Sequence, residues 1–169
     1  MKLFLNYKHY GLFATIFIPL IYFLFFVSAF DQDPTYHLFS DKFSHFQIHN
    51  FHNVSSNIFF VLFPLLGFWH IKKGESESSI SWLTFLIGVL LVAPGSAFYH
   101  WAPNNFTLIW DRLPMVIGFV GLSTYAYKEV FQIQNEAKLL FILILVGLYS
   151  VFHWVAFKDL RVYYWVQLT

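Results

Sequence analysis

The sequence predicts an all-α integral membrane protein with five transmembrane helices and the opening of a sixth. Three observations carry that expectation. Hydrophobic residues make up 58% of the 169 positions and charged residues only 11%, against about 25% charged in a soluble domain. The apolar residues gather into runs close to the ~20 residues that cross a hydrocarbon core. No segment shows the strict apolar–polar alternation of a strand.

The first run, Gly11 to Phe30, contains no charge. Val27-Ser28-Ala29 resembles a signal-peptide cleavage site, yet the run exceeds the ~7–15 apolar residues of such a peptide. A retained helix is therefore expected over 11–30. Further spans are expected over Val54 to Ile71, Ile80 to Trp101, Trp110 to Tyr127 and Leu139 to Phe157, each set off by a short polar stretch. Val162 to Leu168 reads as the start of one more apolar helix. No internal repeat or second domain interrupts 1–169, so one polytopic domain is expected. The 23 phenylalanines suit lipid-facing helices with Trp and Tyr near their ends.

Composition also excludes several functions. The net charge is +1 and no basic run exceeds Lys72-Lys73, which leaves nothing to neutralise a nucleic-acid backbone. There is no cysteine, and so no disulfide, thiolate metal site or cysteine nucleophile. Alternating topology puts Lys2, Lys8, Lys72, Lys73, Lys128 and Lys138 on one side, with Lys42, Arg112, Lys158 and Arg161 on the other. By a narrow majority this predicts a cytoplasmic N-terminus.

Polar residues inside hydrocarbon are costly, so their placement is informative. The second span opens with Asn53, Ser56 and Asn57, whose spacing of three and four shares one helical face. The third ends with Gly95, Ser96 and His100, and the fourth begins with Asp111, Arg112 and Pro114. Topology alone brings these three helix mouths to one membrane surface. The first loop adds His37, His45, His49 and His52, and His153 stands one turn inside the end of the fifth span.

A neutral imidazole there could hold zinc, with a carboxylate orienting it or a bound water. A nearby hydroxyl could support a developing oxyanion, and a metal would make hydroxide available near neutral pH. On this reading Ser96 and Asp111 are catalytic, His100 is a metal ligand, and Asn53, Ser56, Asn57 and Arg112 support them. Each has a plainer alternative. Asn53 and Ser56 suit helix caps, His100 an interfacial bond to a carbonyl, and Asp111 and Arg112 a mutual pair or a headgroup contact. The first-loop histidines, irregularly spaced, read as interfacial.

Asn53-Val-Ser-Ser-Asn57, Gly95-Ser-Ala-Phe-Tyr-His100 and Trp110-Asp-Arg-Leu-Pro-Met115 resemble, in order and spacing, the signatures of the alkaline ceramidase family. Tyr36-His37, Asp41-Lys42, Asp159-Leu-Arg161 and Gln167 look like its bacterial ceramidase-like branch, and the resemblance runs from Tyr36 onward. It implies a seven-helix, zinc-dependent hydrolase that cleaves the amide bond of ceramide-like lipids, sited in a bacterial inner membrane. It also implies that His100 is a zinc ligand with Ser96 and Asp111 beside the metal.

The sequence departs from that pattern in two places. The family's other two zinc histidines lie four apart on a seventh helix that this sequence lacks, and neither His49 nor His153 matches them. Asn50 stands where a Glu of a calcium-binding cluster would be expected. The resemblance therefore implies a truncated member with an incomplete zinc site. A non-catalytic lipid-sensing or lipid-binding protein of the related receptor type is the alternative. A small transporter fits less well, since it would favour broken helices with midplane charges.

Overall fold

A computed structural model describes residues 2–76 and 78–168, with side chains from residue 10 onward. It is helical throughout, and no strand occurs among the described residues. The elements are α1 (Lys2–Phe26), α2 (Phe51–Ser56), α3 (Phe59–Lys72), α4 (Ile80–Trp101), α5 (Asn105–Phe131), α6 (Glu136–Phe157) and α7 (Arg161–Leu168). Four helical stretches are long and apolar enough to cross a membrane: α2 with α3, then α4, α5 and α6. The described apolar part of α1, Tyr10–Phe26, is shorter.

The third span matches its expected limits; the others differ for local reasons. α1 stops at Phe26 because Arg161 takes up its last carbonyls, donating from Nη1 to Leu24 O at 3.3 Å and Val27 O at 3.2 Å. Leu160 N then bonds Phe30 O at 2.9 Å, holding 27–30 outside the helix. α5 begins at Asn105, five residues before Trp110, since Asn104 and Thr107 cap each other's backbone reciprocally. α6 starts at Glu136, where the Asn135 side chain accepts from Lys138 N. The second span starts at Phe51 and then breaks at Asn57. There Asn57 Nδ2 takes the carbonyls of Asn53 (2.8 Å) and Val54 (3.3 Å), displacing the helical pattern.

α4 and α5 form the centre of the bundle. Glycines let their backbones meet: a Cβ on Gly88 would lie 2.3 Å from Gly118 N, and one on Gly95 2.2 Å from Trp110 O. Small residues serve this purpose where lipid supplies no hydrophobic drive between helices. α6 packs on α5, α7 on α6 and α1, and α3 on α4. The tightest core lies where α5, α6 and α7 meet, around Leu108, Val151, Trp154, Leu160 and Tyr163.

The segment 27–50 straps one end of this bundle. Trp154 Nε1 donates to Asp31 Oδ1 at 2.9 Å, and Arg112 donates to Gln32 Oε1. His37 bridges the Tyr99 hydroxyl and Asn105 Oδ1, each at 3.0 Å. Asn50 Nδ2 donates to His100 O at 2.8 Å. The helix mouths that carry the polar residues are thus the end covered by the strap.

Candidate functional site

α3 rests on α4 without substantial packing on α5, which leaves a lateral cleft of about 430 Å³ between them. Its long walls are apolar, with Phe60, Phe85, Val89, Phe119 and Leu122 among them. Its polar end is Ser96, His100 and Asp111, with Ser56 and Asn57 on the facing wall. Another hollow of about 380 Å³, on a different face of α4 and α5, has only apolar side chains such as Leu91, Phe98 and Leu113. Of these two, the first joins an apolar channel to titratable groups.

Local packing explains the convergence. Gly95 touches the Trp110 carbonyl, so their neighbours Ser96 and Asp111 are brought face to face across the α4–α5 contact. The Ser96 hydroxyl faces the Asp111 carboxylate, with His100 and Arg112 nearby. Asp111 is only 8% exposed. At 1.5 Å per residue it lies roughly 9 Å inside the start of α5.

His100 is gripped from outside the cleft. Phe39 lies on its ring with centroids 4.6 Å apart, Tyr99 follows at 5.4 Å, and Asn50 holds its carbonyl. Its Nδ1 is buried with no hydrogen-bond partner. A ligand imidazole normally has its second nitrogen engaged, so one donor or acceptor is wanting here. Asp41 stands behind this grip. Its carboxylate accepts from Asn53 N and Phe43 N, both at 3.0 Å. The Asn53 N–H, foremost, holds the Asp41 pKa below its usual range despite the opposing cost of burial.

Of the seven residues singled out in the sequence, five line the cleft: Ser56, Asn57, Ser96, His100 and Asp111. Asn53 and Arg112 do not. Asn53 and Ser56 are not N-caps either, because α2 begins earlier, after Asn50 in the left-handed region (φ 52°). Asn53 instead gives its N–H to Asp41, and its carbonyl receives Asn57 Nδ2 and Ser56 Oγ. Arg112 turns away from Asp111 into a cage, 4.2 Å from the Trp154 ring and 4.7 Å from the Tyr163 ring.

The first-loop histidines stay outside the cleft. His45 and His52 stack on Phe43 and His49 meets Ser44 Oγ, whereas His37 is the strap's tether. His153 bonds the Asp159 carbonyl. Phe39 and Asn50 went unnoticed as partners of His100. For Asn50 a signal existed, since Asn tolerates the left-handed conformation that a sharp entry into α2 needs.

His100 and Asp111 suit zinc by donor chemistry, although Nδ1 of the imidazole is buried without the partner that a ligand histidine usually has. Among the described residues, however, no three His, Cys, Asp or Glu side chains come together as a metal site. Catalytic zinc normally has three protein ligands, so these residues make part of such a site. Comparisons with protein-family models, curated proteins and solved structures find no match for this chain.

Proposed function

We propose that this chain is a membrane-embedded amide hydrolase of the ceramidase type, acting on ceramide-like lipids that enter the cleft sideways from the bilayer. The observation that carries the reading is the joining of Ser96, His100 and Asp111 at the inner end of an apolar lateral cleft. The three motifs that resemble the ceramidase signatures each contribute to it. On the same reading α1 is a fifth span, α7 opens a sixth, and the whole is part of a seven-helix bundle. The N-terminus is cytoplasmic and the membrane is a bacterial inner membrane.

Each residue has a distinct duty. Phe60, Phe85 and Phe119 receive an acyl chain. The Ser96 hydroxyl donates to the carbonyl oxygen as negative charge develops on it, an interaction that strengthens toward the transition state. The Asp111 carboxylate, acceptor-only when ionised, orients a water and takes its proton as the water oxygen adds to the amide carbon, which releases the Ser96 O–H for the oxyanion. Asp111 then passes that proton to the amide nitrogen as the C–N bond breaks. His100 would hold zinc, supported from behind by Phe39 and Asn50. Zinc, when bound, supplies a Lewis acid and an acidified water. Among the described residues no third ligand stands beside His100 and Asp111.

That same shortfall favours a second reading, a lipid-binding protein without turnover. One experiment separates the two. The protein in lipid nanodiscs is given ceramide and zinc, and fatty-acid release, bound lipid and zinc content are measured together. Release that rises with zinc and falls about a hundredfold or more in Asp111→Asn and His100→Ala supports the hydrolase. Bound ceramide with no release leaves the binding reading. Full release by His100→Ala with zinc still stoichiometric would sink the site assignment.

A further inference from the structure

Asn57 is only 5% exposed and sits where the second span breaks, on the wall of the cleft opposite Ser96 and Asp111. Its carboxamide cannot rotate freely, because Nδ2 is committed to the carbonyls of Asn53 and Val54. That commitment also fixes which end of the amide is oxygen, and turns Oδ1 the other way. Oδ1 accepts no hydrogen bond in the chain, and unlike His100 Nδ1 it is not sealed off. Asn57, which also borders a second hollow, thus brings a fixed, unpartnered acceptor to the wall it shares with Ser56 and Phe60.

Ser56, the neighbouring polar group, donates its hydroxyl to Asn53 O at 2.9 Å and keeps acceptor lone pairs, but it is exposed, whereas Asn57 is buried with its carboxamide held. Asp111 faces Ser96. Asn57 Oδ1 is therefore the buried, fixed acceptor of this wall. Counting along the helix, Asn57 lies about 10 Å beyond Asn50, which is level with the His100 carbonyl. Ser96 lies about 6 Å inside His100 by the same rise. The acceptor is therefore at, or slightly deeper than, the level of the serine.

We infer that Asn57 is a specificity-determining residue, whose Oδ1 accepts the N–H of a secondary-amide lipid and so selects amide-linked over ester-linked lipids. The inference rests on the proposed cleft as a site for amide-linked lipids, and adds the residue that reads the amide N–H. An ester places an oxygen where the amide carries its N–H, so it leaves Asn57 Oδ1 buried against a second acceptor. Sites built around a ligand's donor reject the analogue without it for this reason. For one neutral hydrogen bond with a desolvated acceptor, the discrimination is about five- to a hundredfold.

The test is a binding cycle of ligand against residue. Wild-type protein and Asn57→Ala, both in nanodiscs, are titrated with a fluorescent N-acyl amide lipid and with its ester analogue of identical chains. Wild type is expected to bind the amide about five- to a hundredfold more tightly, and Asn57→Ala to bind both alike. Equal binding of amide and ester by wild type overturns the inference while leaving the cleft as a lipid site. So does an undiminished preference in Asn57→Ala. Failure of wild type to bind either lipid overturns the inference and the proposed function together. The wild-type comparison alone decides if Asn57→Ala fails to fold, as loss of the Nδ2 bonds could cause.

Discussion

Replacing Gly95 by alanine tests how the site is assembled. The added Cβ would lie 2.2 Å from Trp110 O, 3.0 Å from the Trp110 carbonyl carbon and 3.4 Å from Pro114 Cγ, where ordinary contact begins at about 3.4 Å. The two nearest atoms are backbone, with no rotamer to change. α4 and α5 must therefore part locally by about 1 Å, an overpacking that costs about 1–3 kcal/mol. For 150–250 residues each kcal/mol moves Tm by about 2–4 °C, so a loss of several degrees is expected. Because Gly95 and Trp110 flank Ser96 and Asp111, the same parting separates those two side chains. An ångström of misplacement in a reacting constellation costs about a hundredfold in rate. Thermal unfolding in detergent and ceramide turnover are measured side by side. Gly67→Ala is the control, since its Cβ would meet Leu86 Cδ2 at 2.7 Å, a side-chain end that can shift. If Gly95→Ala unfolded no earlier than Gly67→Ala and kept wild-type function, the close approach would not be what aligns the site.

Two further outcomes follow from the strap. Arg112→Lys keeps a cation but loses the planar stack on Trp154 and Tyr163 and the fork that reaches Gln32. A loss of about 1–3 kcal/mol is expected in denaturant unfolding, and wild-type stability would refute the cage. Asp41 has its folded pKa depressed below 3.8 by Asn53 N–H first. Its contribution is therefore full above its unfolded value and is lost as pH falls through the lower folded value. Hydrogen exchange at the Asn53 amide, corrected for intrinsic rate, should lose protection only below about pH 4. Asp41→Asn should remove that acid dependence, and an unchanged profile in the variant would exclude Asp41 as its source.

How far the sequence revealed the fold depended on what set each helix's limits. The run Ile80 to Trp101 showed its own ends, because Ser79 caps it in the usual way, accepting from Trp82 N. The fourth span was underestimated by apolarity alone, although Asn104 and Thr107 are a readable reciprocal cap. The end of α1 was not legible. Its carbonyls are taken by Arg161, more than a hundred residues away, and no local pattern encodes such a partner. The break at Asn57 lies between these cases. An asparagine inside an apolar helix signals competition for backbone carbonyls, but not whether the side chain wins.

The site was legible where topology decided and obscure where rotation about a helix axis did. Antiparallel spans must return their polar mouths to one surface, which is why Ser96, His100 and Asp111 meet as expected. Asp111 and Arg112 were grouped together, yet consecutive residues on an α-helix point about 100° apart, so both could not face one cleft. The structure divides them: Asp111 looks toward Ser96, and Arg112 is folded away between Trp154 and Tyr163. Adjacency in sequence here marks two jobs on one turn of helix. The aspartate lines the cleft, while the arginine ties α5 to α6, α7 and the strap. A variant at Arg112 should therefore loosen the strap before it alters the cleft, the opposite order from one at Asp111.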